Sequence, residues 1–254
     1  MKKNLLAAER RKQLTEMVRS NGSVRIGEIA EFFGVSSETI RKDLIYLNNC
    51  GAVKKSFGGA VAVSEYRERP VSGRSMEHAE KKAAVAGRAM EFLSDGGVVF
   101  IDSGSTVLEA AKLLHAGMDI AVVTNSLAAL NALTEKNLDI HFIGGVFSDV
   151  TMATSGFWAV GAVNTIKFDV ALLGTSGFQS HSGPSVKTFP DAQMKQEVLK
   201  NSRKKIVLAD SSKFITNAVV QYTEWGNIDA LVTDADAPAD AVKALRGTVD
   251  VITV

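Results

Sequence analysis

The 254-residue sequence contains a single cysteine, Cys50, so an internal disulfide cannot form, and a reducing cytoplasm is the expected compartment. No apolar run approaches the roughly 18 residues that a membrane helix needs. The apolar stretch near the start covers only residues 5–8 before charges return, so we expect no export signal. The four histidines are scattered without metal-ligand spacing, and no metal site is predicted.

The composition, with 46% apolar and 22% charged residues, is that of an ordinary globular protein. The net charge of +1 hides an uneven distribution. Residues 1–60 hold 11 lysines and arginines against 6 acidic residues, whereas the rest of the chain holds 18 against 22. A basic head on a mildly acidic body favours a polyanionic partner for the head, although chance clustering on a solvated surface would look the same.

The head has the pattern of three helices and a hairpin. Apolar residues at helical spacing predict helices over 9–20 and 26–33, and a third helix that Ser36 caps and Gly51 ends. Residues 52–61, which contain a Gly-Gly pair, predict a β-hairpin. This order is that of a winged helix-turn-helix domain.

The third helix would bury its apolar stripe and present polar residues to DNA. Arg41 can pair with guanine edges, hydroxyl groups can reach phosphates or bases, and the hairpin lysines can neutralise phosphates. The candidate DNA-binding residues are Ser36, Ser37, Glu38, Thr39, Arg41, Lys42, Lys54 and Lys55. A plain three-helix packing unit with a solvated basic face would show the same helical pattern.

The body alternates between strands and helices. Residues 62–80 are polar and predict a linker, which divides the chain into domains 1–61 and 81–254. The alternation predicts an α/β domain with a mostly parallel sheet and helices on both faces. The predicted strands are 98–101, 120–123, 140–143, 170–173, 206–208, 230–232 and 249–254. The predicted helices are 81–94, 106–115, 126–135, 191–203 and 238–245.

Small polar residues and glycines follow several of the predicted strands. After strand 98–101, the run 102–106 would open a helix whose N–H groups, together with its hydroxyls, form an anion cradle. Similar residues follow three further strands, and the carboxyl ends of parallel strands share one edge of a sheet, so they predict one ligand site. Taken singly, each turn is also an ordinary helix cap.

Both halves resemble one family. The segment VSSETIRKDLIYLNNCGAVKKSFGGA is similar to the N-terminal signature of the DeoR family of bacterial repressors. The pieces FIDSGST, VVTNS, FIGGV, ALLGTSGF, DAQMK and LADSSKF follow in the order of that family's effector domain. The resemblance implies a repressor of a carbohydrate operon that a phosphorylated sugar releases from operator DNA. It also implies a sensor domain similar in fold to ribose-5-phosphate isomerase.

The resemblance further implies roles for individual residues in a phosphate cradle, a sugar pocket and a pair of nearby cations. The implied effector-binding residues are Asp102, Ser103, Gly104, Ser105, Thr106, Asn125, Ser126, Gly144, Gly145, Gly174, Lys195 and Lys213. Departures from the family pattern at 146–149 and at 191–192 leave the identity of the sugar open. A homodimer or larger homo-oligomer is expected, because one winged helix buries too little surface for useful specificity.

Two other functions are compatible with these residues. Asp102, Asp191 and Lys195 would also suit the acid–base set of a sugar-phosphate isomerase with an appended DNA-binding head. The second alternative is an activator or an architectural DNA-binding protein with a vestigial pocket. The attached head favours a sensor that binds its ligand without turnover, so we expect neither enzyme activity nor a cofactor.

Overall fold

A computed structural model describes residues 5–62 and 68–254. The chain forms two compact units, Met1–Arg74 and Ser75–Val254. The division falls inside the segment predicted as a linker, of which residues 63–67 lie outside the described part. The later portion of that segment is partly helical. No helix among the described residues is long and apolar enough to cross a membrane.

The first unit contains the three predicted helices and the predicted hairpin. Its elements are α1 (Ala7–Asn21), β1 (Ser23–Arg25), α2 (Ile26–Phe33), α3 (Ser37–Asn49), β2 (Val53–Ser56) and β3 (Gly59–Ala62), and the division between the units falls within α4 (Val71–Met76). Strand β1 was not predicted; it pairs antiparallel with β3 and extends the hairpin to a three-stranded sheet. Leu14, Ile29 and Leu44 are fully buried and join the three helices in one core.

The second unit is built on a seven-stranded sheet. Its elements are α5 (Ala79–Ala89), β4 (Gly97–Ile101), α6 (Ser105–Leu113), β5 (Ile120–Thr124), α7 (Leu127–Leu133), β6 (Asp139–Phe142), β7 (Val146–Ser148), β8 (Ala153–Ser155), α8 (Phe157–Val163), β9 (Phe168–Gly174), β10 (Ser185–Val186), α9 (Phe189–Lys200), β11 (Ser202–Leu208), β12 (Val220–Gln221), β13 (Ala230–Thr233), α10 (Ala239–Leu245) and β14 (Asp250–Thr253). Short 3₁₀ helices cover Met90–Phe92, Ser211–Ile215 and Trp225–Asn227.

The sheet order is β14-β13-β11-β9-β4-β5-β6, and every pairing in it is parallel. All seven predicted strands belong to this sheet. Alternate strand residues enter two separate cores: Phe100 packs with α8 and α9, whereas Ile101 packs with α5, α6 and α7. The expected α/β architecture, a parallel sheet with helices on both faces, is confirmed.

The winding of the sheet reverses between β4 and β9. From β4 the chain proceeds outward through β5 to β6, then returns to the other side of β4 and proceeds through β9, β11, β13 and β14. The connections leaving β4 and β9 therefore diverge on opposite faces. In open parallel sheets the crevice at such a switch point is the usual place for a ligand.

Some local predictions were wrong. The helix predicted over 191–203 ends at Lys200, because the chain turns there into β11, which begins at Ser202 rather than at 206. Helix α8, the β7–β8 hairpin and the short β10–β12 pair were not predicted. The β7–β8 hairpin directly follows Gly144-Gly145 and forms a separate two-stranded sheet, and a bridge between Ser126 and Ala153 joins it to the residues after β5.

Candidate functional site

The N-terminal end of α3 is polar and exposed. Ser36 has extended backbone angles, and its Oγ accepts a hydrogen bond from the Thr39 N–H at 3.1 Å, which starts the helix. Arg41 and Lys42 are exposed on the first turns, and Arg41 lies 3.5 Å from the Glu38 carboxylate. Because Ile40 and Leu44 point into the core, these charged groups form a continuous solvent-facing surface that suits a DNA groove.

A buried ion pair holds α1 against α3. The carboxylate of Asp43 is 2% exposed and accepts hydrogen bonds from Arg10 Nε at 2.6 Å and Arg11 Nε at 2.7 Å. The Arg11 guanidinium also stacks 4.0 Å from the centre of the Tyr46 ring. Two cations of the basic head are thus used for packing, so its excess charge overstates what is available to DNA. The sequence analysis missed this pair.

The hairpin formed by β2 and β3 carries the wing residues. Lys54 and Lys55 are exposed on β2, and the Lys55 N–H donates to Asn48 Oδ1 on α3 at 2.9 Å, which ties the wing to the recognition helix. Phe57 at the hairpin tip is fully exposed. All eight candidate DNA-binding residues therefore lie on α3, at its cap, or on the wing strand β2.

The turn between β4 and α6 forms the centre of the candidate effector site. Ser103, Ser105 and Thr106 are buried, yet their hydroxyls make no hydrogen bond to another described residue. Gly104 has a φ of +127°, which only glycine adopts readily, and among the described residues no side chain caps α6. The helix therefore begins with free polar groups at the switch point, as an anion site requires.

A buried carboxylate lies next to this turn. Asp102 is 1% exposed, and its Oδ2 accepts the Gly174 N–H at 2.8 Å and contacts Lys195 Nζ. Its Oδ1 is buried without a hydrogen-bond partner among the described residues. Lys195 is 2% exposed and lies 3.5 Å from Asp191. Burial lowers the pKa of Lys195, but the two carboxylates outweigh it and raise that pKa above its ordinary value.

The residues after β5 are also buried. Asn125 Nδ2 donates to the Thr154 carbonyl at 2.8 Å, and Asn125 Oδ1 has no partner within the described chain. Ser126 caps α7 through the Ala129 N–H at 3.2 Å, so for this residue a purely structural role is sufficient. Thr154 on β8, which the sequence analysis missed, thus backs this part of the site.

The remaining predicted residues are arranged at the same carboxyl edge with different degrees of exposure. Gly144 and Gly145 follow β6 and are exposed, whereas Gly174 ends β9 and is buried beside Asp102. A Cβ on Gly145 would lie 2.5 Å from the Ser155 carbonyl, so packing alone requires glycine there. Lys213 is half-buried in the 3₁₀ helix that follows β11.

A second polar cluster at the ends of β11 and β13 was missed. Asp234 Oδ2 accepts the Ser211 N–H at 2.6 Å, and Lys81 of α5 lies 3.4 Å from Asp234 and 2.8 Å from Asp236. Asp210 is fully buried beside Lys213. Burial raises the pKa of Asp210, but Lys213 and the Ser212 hydrogen bond outweigh it, so that pKa is lowered. The pieces LADSSKF and TDAD carry the acidic residues, but their pairing with α5 is not visible in the sequence.

A winged helix-turn-helix unit followed by an α/β unit with a polar turn at its topological switch point is the architecture of a ligand-responsive DNA-binding regulator. Family models agree: a DeoR-like helix-turn-helix domain matches residues 10–66, and a DeoR C-terminal sensor domain matches residues 77–235. The chain belongs to the DeoR family of transcriptional regulators.

Curated relatives extend over almost the whole chain. The HTH-type transcriptional regulator GlpR of Haloferax volcanii is 32% identical over 93% of this chain and 93% of its own length. A putative aga operon transcriptional repressor of Escherichia coli O157:H7 is 30% identical over 94% of this chain and 90% of its own length. The glycerol-3-phosphate regulon repressor of Escherichia coli K12 is 29% identical over 93% of this chain and 94% of its own length. These relatives are regulators, and the alternative of an isomerase is not favoured.

Some solved structures overlap about half of the chain. Ribose 5-phosphate isomerase A from Neisseria gonorrhoeae is 19% identical, with a TM-score of 0.39 over 54% of this chain and 53% of its own. The assignment of the α/β fold therefore rests on the strand order and parallel pairing described above.

Proposed function

We propose that the chain represses a carbohydrate-utilisation operon and leaves its operator when a phosphorylated sugar binds at the carboxyl edge of the sensor sheet. In this proposal residues 1–61 read DNA, residues 62–80 link, and residues 81–254 sense the effector. The name of one relative refers to glycerol-3-phosphate, a phosphate ester of a polyhydroxylated compound, which supports an effector of this chemical class.

The observation that carries the proposal is the polar turn at the switch point. Ser103, Ser105 and Thr106 are 8%, 5% and 6% exposed, and their hydroxyls, which have no partner in the described chain, stand at the uncapped start of α6. A phosphate there would accept hydrogen bonds from the hydroxyls and the first-turn N–H groups, and it would be stabilised by the helix dipole. These hydroxyl oxygens are not among the fully buried unpaired atoms of the described chain, so a ligand can reach them, and an anionic ligand would use all three donors together.

Two acceptor oxygens lie at the same carboxyl edge of the sheet as this turn. The buried oxygens Asp102 Oδ1 and Asn125 Oδ1 lack partners among the described residues. A sugar supplies hydroxyl donors for both oxygens, whereas a purely anionic or apolar ligand supplies none. The combination of a donor-rich turn and acceptor oxygens therefore favours a phosphate ester of a polyhydroxylated compound, held near Lys195 and Lys213.

On the DNA side, Arg41 and the polar first turn of α3 would read bases, and Lys54 and Lys55 would contact phosphates. A single winged helix gives little specificity, so we propose that a homodimer or larger homo-oligomer presents two heads to an operator with two half-sites. Effector binding would then act as a coupling free energy between the two kinds of site. We also propose a cytoplasmic location, because operator DNA and sugar phosphates would both be met there.

The test is operator binding by the full chain on its own upstream DNA, measured at fixed salt against a panel of sugar phosphates. One compound should release the DNA. The Ser105→Ala variant should then need about 10- to 100-fold more of that compound, because a hydrogen bond to a charged group contributes roughly 1.5–3 kcal/mol. Its DNA affinity without effector should stay unchanged.

Ser94→Ala is the matched control, because Ser94 is exposed and precedes β4 at the opposite edge of the sheet. It should respond to the compound as the wild type does. A protein that binds its DNA tightly but responds to no sugar phosphate would refute the effector site, and so would equal responses of the Ser105 and Ser94 variants.

A further inference from the structure

The tip of the β2–β3 hairpin presents one aromatic ring to solvent. Phe57 and Gly58 form a two-residue loop, because Ser56 at the end of β2 pairs directly with Gly59 at the start of β3. Gly58 has a φ of +76°, which completes the tight turn. The Phe57 side chain is fully exposed and does not belong to the core of its unit. The ring therefore adds nothing to the packing of the folded protein, although phenylalanine is among the residues that gain most from burial.

The loop that carries this ring is held in place by its neighbours. The Ile26 N–H donates to the Gly58 carbonyl at 2.9 Å, which joins the tip to the start of α2. Gly59 packs so closely on β1 that a Cβ there would lie 2.0 Å from the Val24 carbonyl oxygen. The wing is also tied to α3 through the Lys55 N–H. A ring on such a fixed loop loses little conformational freedom when a partner buries it.

Cations flank the tip on two strands. Lys54 and Lys55 are exposed on β2, and Arg25 is exposed at the end of β1, where the strand register places it opposite Gly59. None of these three side chains forms an ion pair with another residue in the described part of the chain. An apolar ring among free cations suits a polyanion that also has flat apolar faces. Duplex DNA has both features, because its phosphates lie outside its stacked bases.

An anionic membrane surface would also combine negative charge with an apolar interior. Membrane binding scales with the apolar area that is buried, and one ring supplies little of it. The neighbouring α3 offers a second polar and cationic surface of the kind that suits a DNA groove. Because the wing and α3 are hydrogen-bonded to each other, both can engage one duplex, and DNA is the favoured partner.

We propose that Phe57 enters the minor groove of operator DNA and wedges between two base pairs; the inference rests on the proposed DNA-reading role of residues 1–61. Grooves alternate along a duplex, so a hairpin beside a helix in the major groove meets the adjacent minor groove. An inserted phenylalanine partly unstacks one base step and kinks the duplex. Pyrimidine–purine steps deform most easily, so the operator should carry one at this position. Phe57 thereby selects sequence through DNA deformability, without a hydrogen bond to a base.

The experiment measures base unstacking in the complex of the full chain with its own upstream DNA. 2-Aminopurine, whose fluorescence is quenched by stacking, replaces single bases across the segment that the protein protects. Wild type should raise the fluorescence at one step in each half-site. Phe57→Ala should abolish that rise and weaken operator binding at least about fivefold, the lower end of the range for loss of one base–aromatic contact. Phe57→Tyr keeps the ring and should retain both properties.

Three controls separate insertion from a general loss of DNA affinity. Phe32→Ala removes another ring of the same unit, 65% exposed on α2, and should bind and unstack the operator as wild type does. Because Phe57 is uncharged, Phe57→Ala should leave the salt dependence of binding unchanged, unlike removal of a wing lysine. Replacing the identified pyrimidine–purine step by a stiff adenine–adenine step should weaken binding of wild type more than binding of Phe57→Ala.

Three outcomes would count against the inference. Phe57→Ala with wild-type operator affinity, or a wild-type complex without any unstacked step, would overturn it and leave the proposed DNA-reading role intact. A wild type that binds no upstream DNA would refute that role and the inference with it. Phe57-dependent binding to vesicles of phosphatidylserine and phosphatidylcholine, with no change in 2-aminopurine fluorescence, would assign the ring to a membrane surface and overturn the inference as well.

Discussion

The basic side chains of the candidate DNA-binding surface and the basic side chain of Lys195 in the candidate effector site differ in burial. In the DNA-binding unit, Arg41 is 58% exposed and Lys42, Lys54 and Lys55 are exposed as well, so their charges reach solvent. In the sensor unit, Lys195 is 2% exposed and held by Asp102. An exposed cation can follow any phosphate backbone and is screened by salt, whereas a buried cation is fixed in place and serves one geometry.

The largest effect should come from breaking the buried pair. Lys195→Met leaves the Asp102 carboxylate buried without its cation, which should lower the free energy of unfolding of the sensor unit by about 3–5 kcal/mol. Urea unfolding followed by tryptophan fluorescence measures this unit alone, because both tryptophans, Trp158 and Trp225, lie in it.

The double variant Asp102→Asn, Lys195→Met is the matched control for that loss. It removes both charges, so it should recover most of the stability that the single variant loses. A single variant within about 1 kcal/mol of wild type would mean that the carboxylate is solvated after all, and the contrast between the two units would disappear.

A smaller effect should separate two kinds of cation within the DNA-binding unit. Arg41→Ala should weaken operator binding by about 1–3 kcal/mol while leaving binding to unrelated DNA almost unchanged. Lys54→Ala should weaken both and reduce the slope of log K against log salt by about 1. Titrations at several salt concentrations measure both quantities. Equal losses of Arg41→Ala on operator and unrelated DNA would contradict a base-reading role.

The smallest effect concerns Lys81, another basic residue of the sensor unit, through its partner Asp234. Burial raises the pKa of Asp234, but the hydrogen bonds from Ser211 and Asp236 and the nearby Lys81 outweigh it and lower that pKa. A carboxyl with a lowered folded pKa stabilises above its unfolded pKa of about 3.9, and this contribution is lost as the pH falls through the folded value.

Asp234→Asn should therefore lose about 1 kcal/mol at pH 7 and approach wild-type stability as the pH falls below about 4. Fluorescence-detected unfolding at pH 7 and pH 3 measures this difference. Asp236→Asn serves for comparison, because Asp236 is 74% exposed and should contribute much less. A pH-independent gap between Asp234→Asn and wild type would show that the lost interaction is not ionic.

Local patterns were enough to predict the frame of both units. Strands such as β4 and β9 are buried on both faces and therefore appear as continuous apolar runs. Ser36 marks the start of α3 by its capping chemistry. Once a parallel sheet was predicted, Asp102 and Asn125 had to lie at the same carboxyl edge, so their proximity followed from topology. Their roles toward a ligand remain predictions.

Long-range partners could not be predicted in the same way. Asp43 meets Arg10 and Arg11 across more than thirty residues, and Lys81 meets Asp234 across a far longer separation, with no local periodicity to signal either pair. Strand β1 has only three residues and exists because β3 lies beside it. Such features depend on tertiary packing, which overrides local propensity.

The labelling rate of the single cysteine can report local opening of the DNA-binding unit. Cys50 is 7% exposed in the DNA-binding unit, and Gly73 lies so close that a Cβ there would be 2.6 Å from the Cys50 Cα. A thiol reagent can reach Cys50 only when this packing opens, so the labelling rate of the native protein reports local opening. Comparing the labelling rate with and without operator DNA would therefore show whether DNA slows local opening of the DNA-binding unit. Tryptophan fluorescence would follow the sensor unit in the same sample.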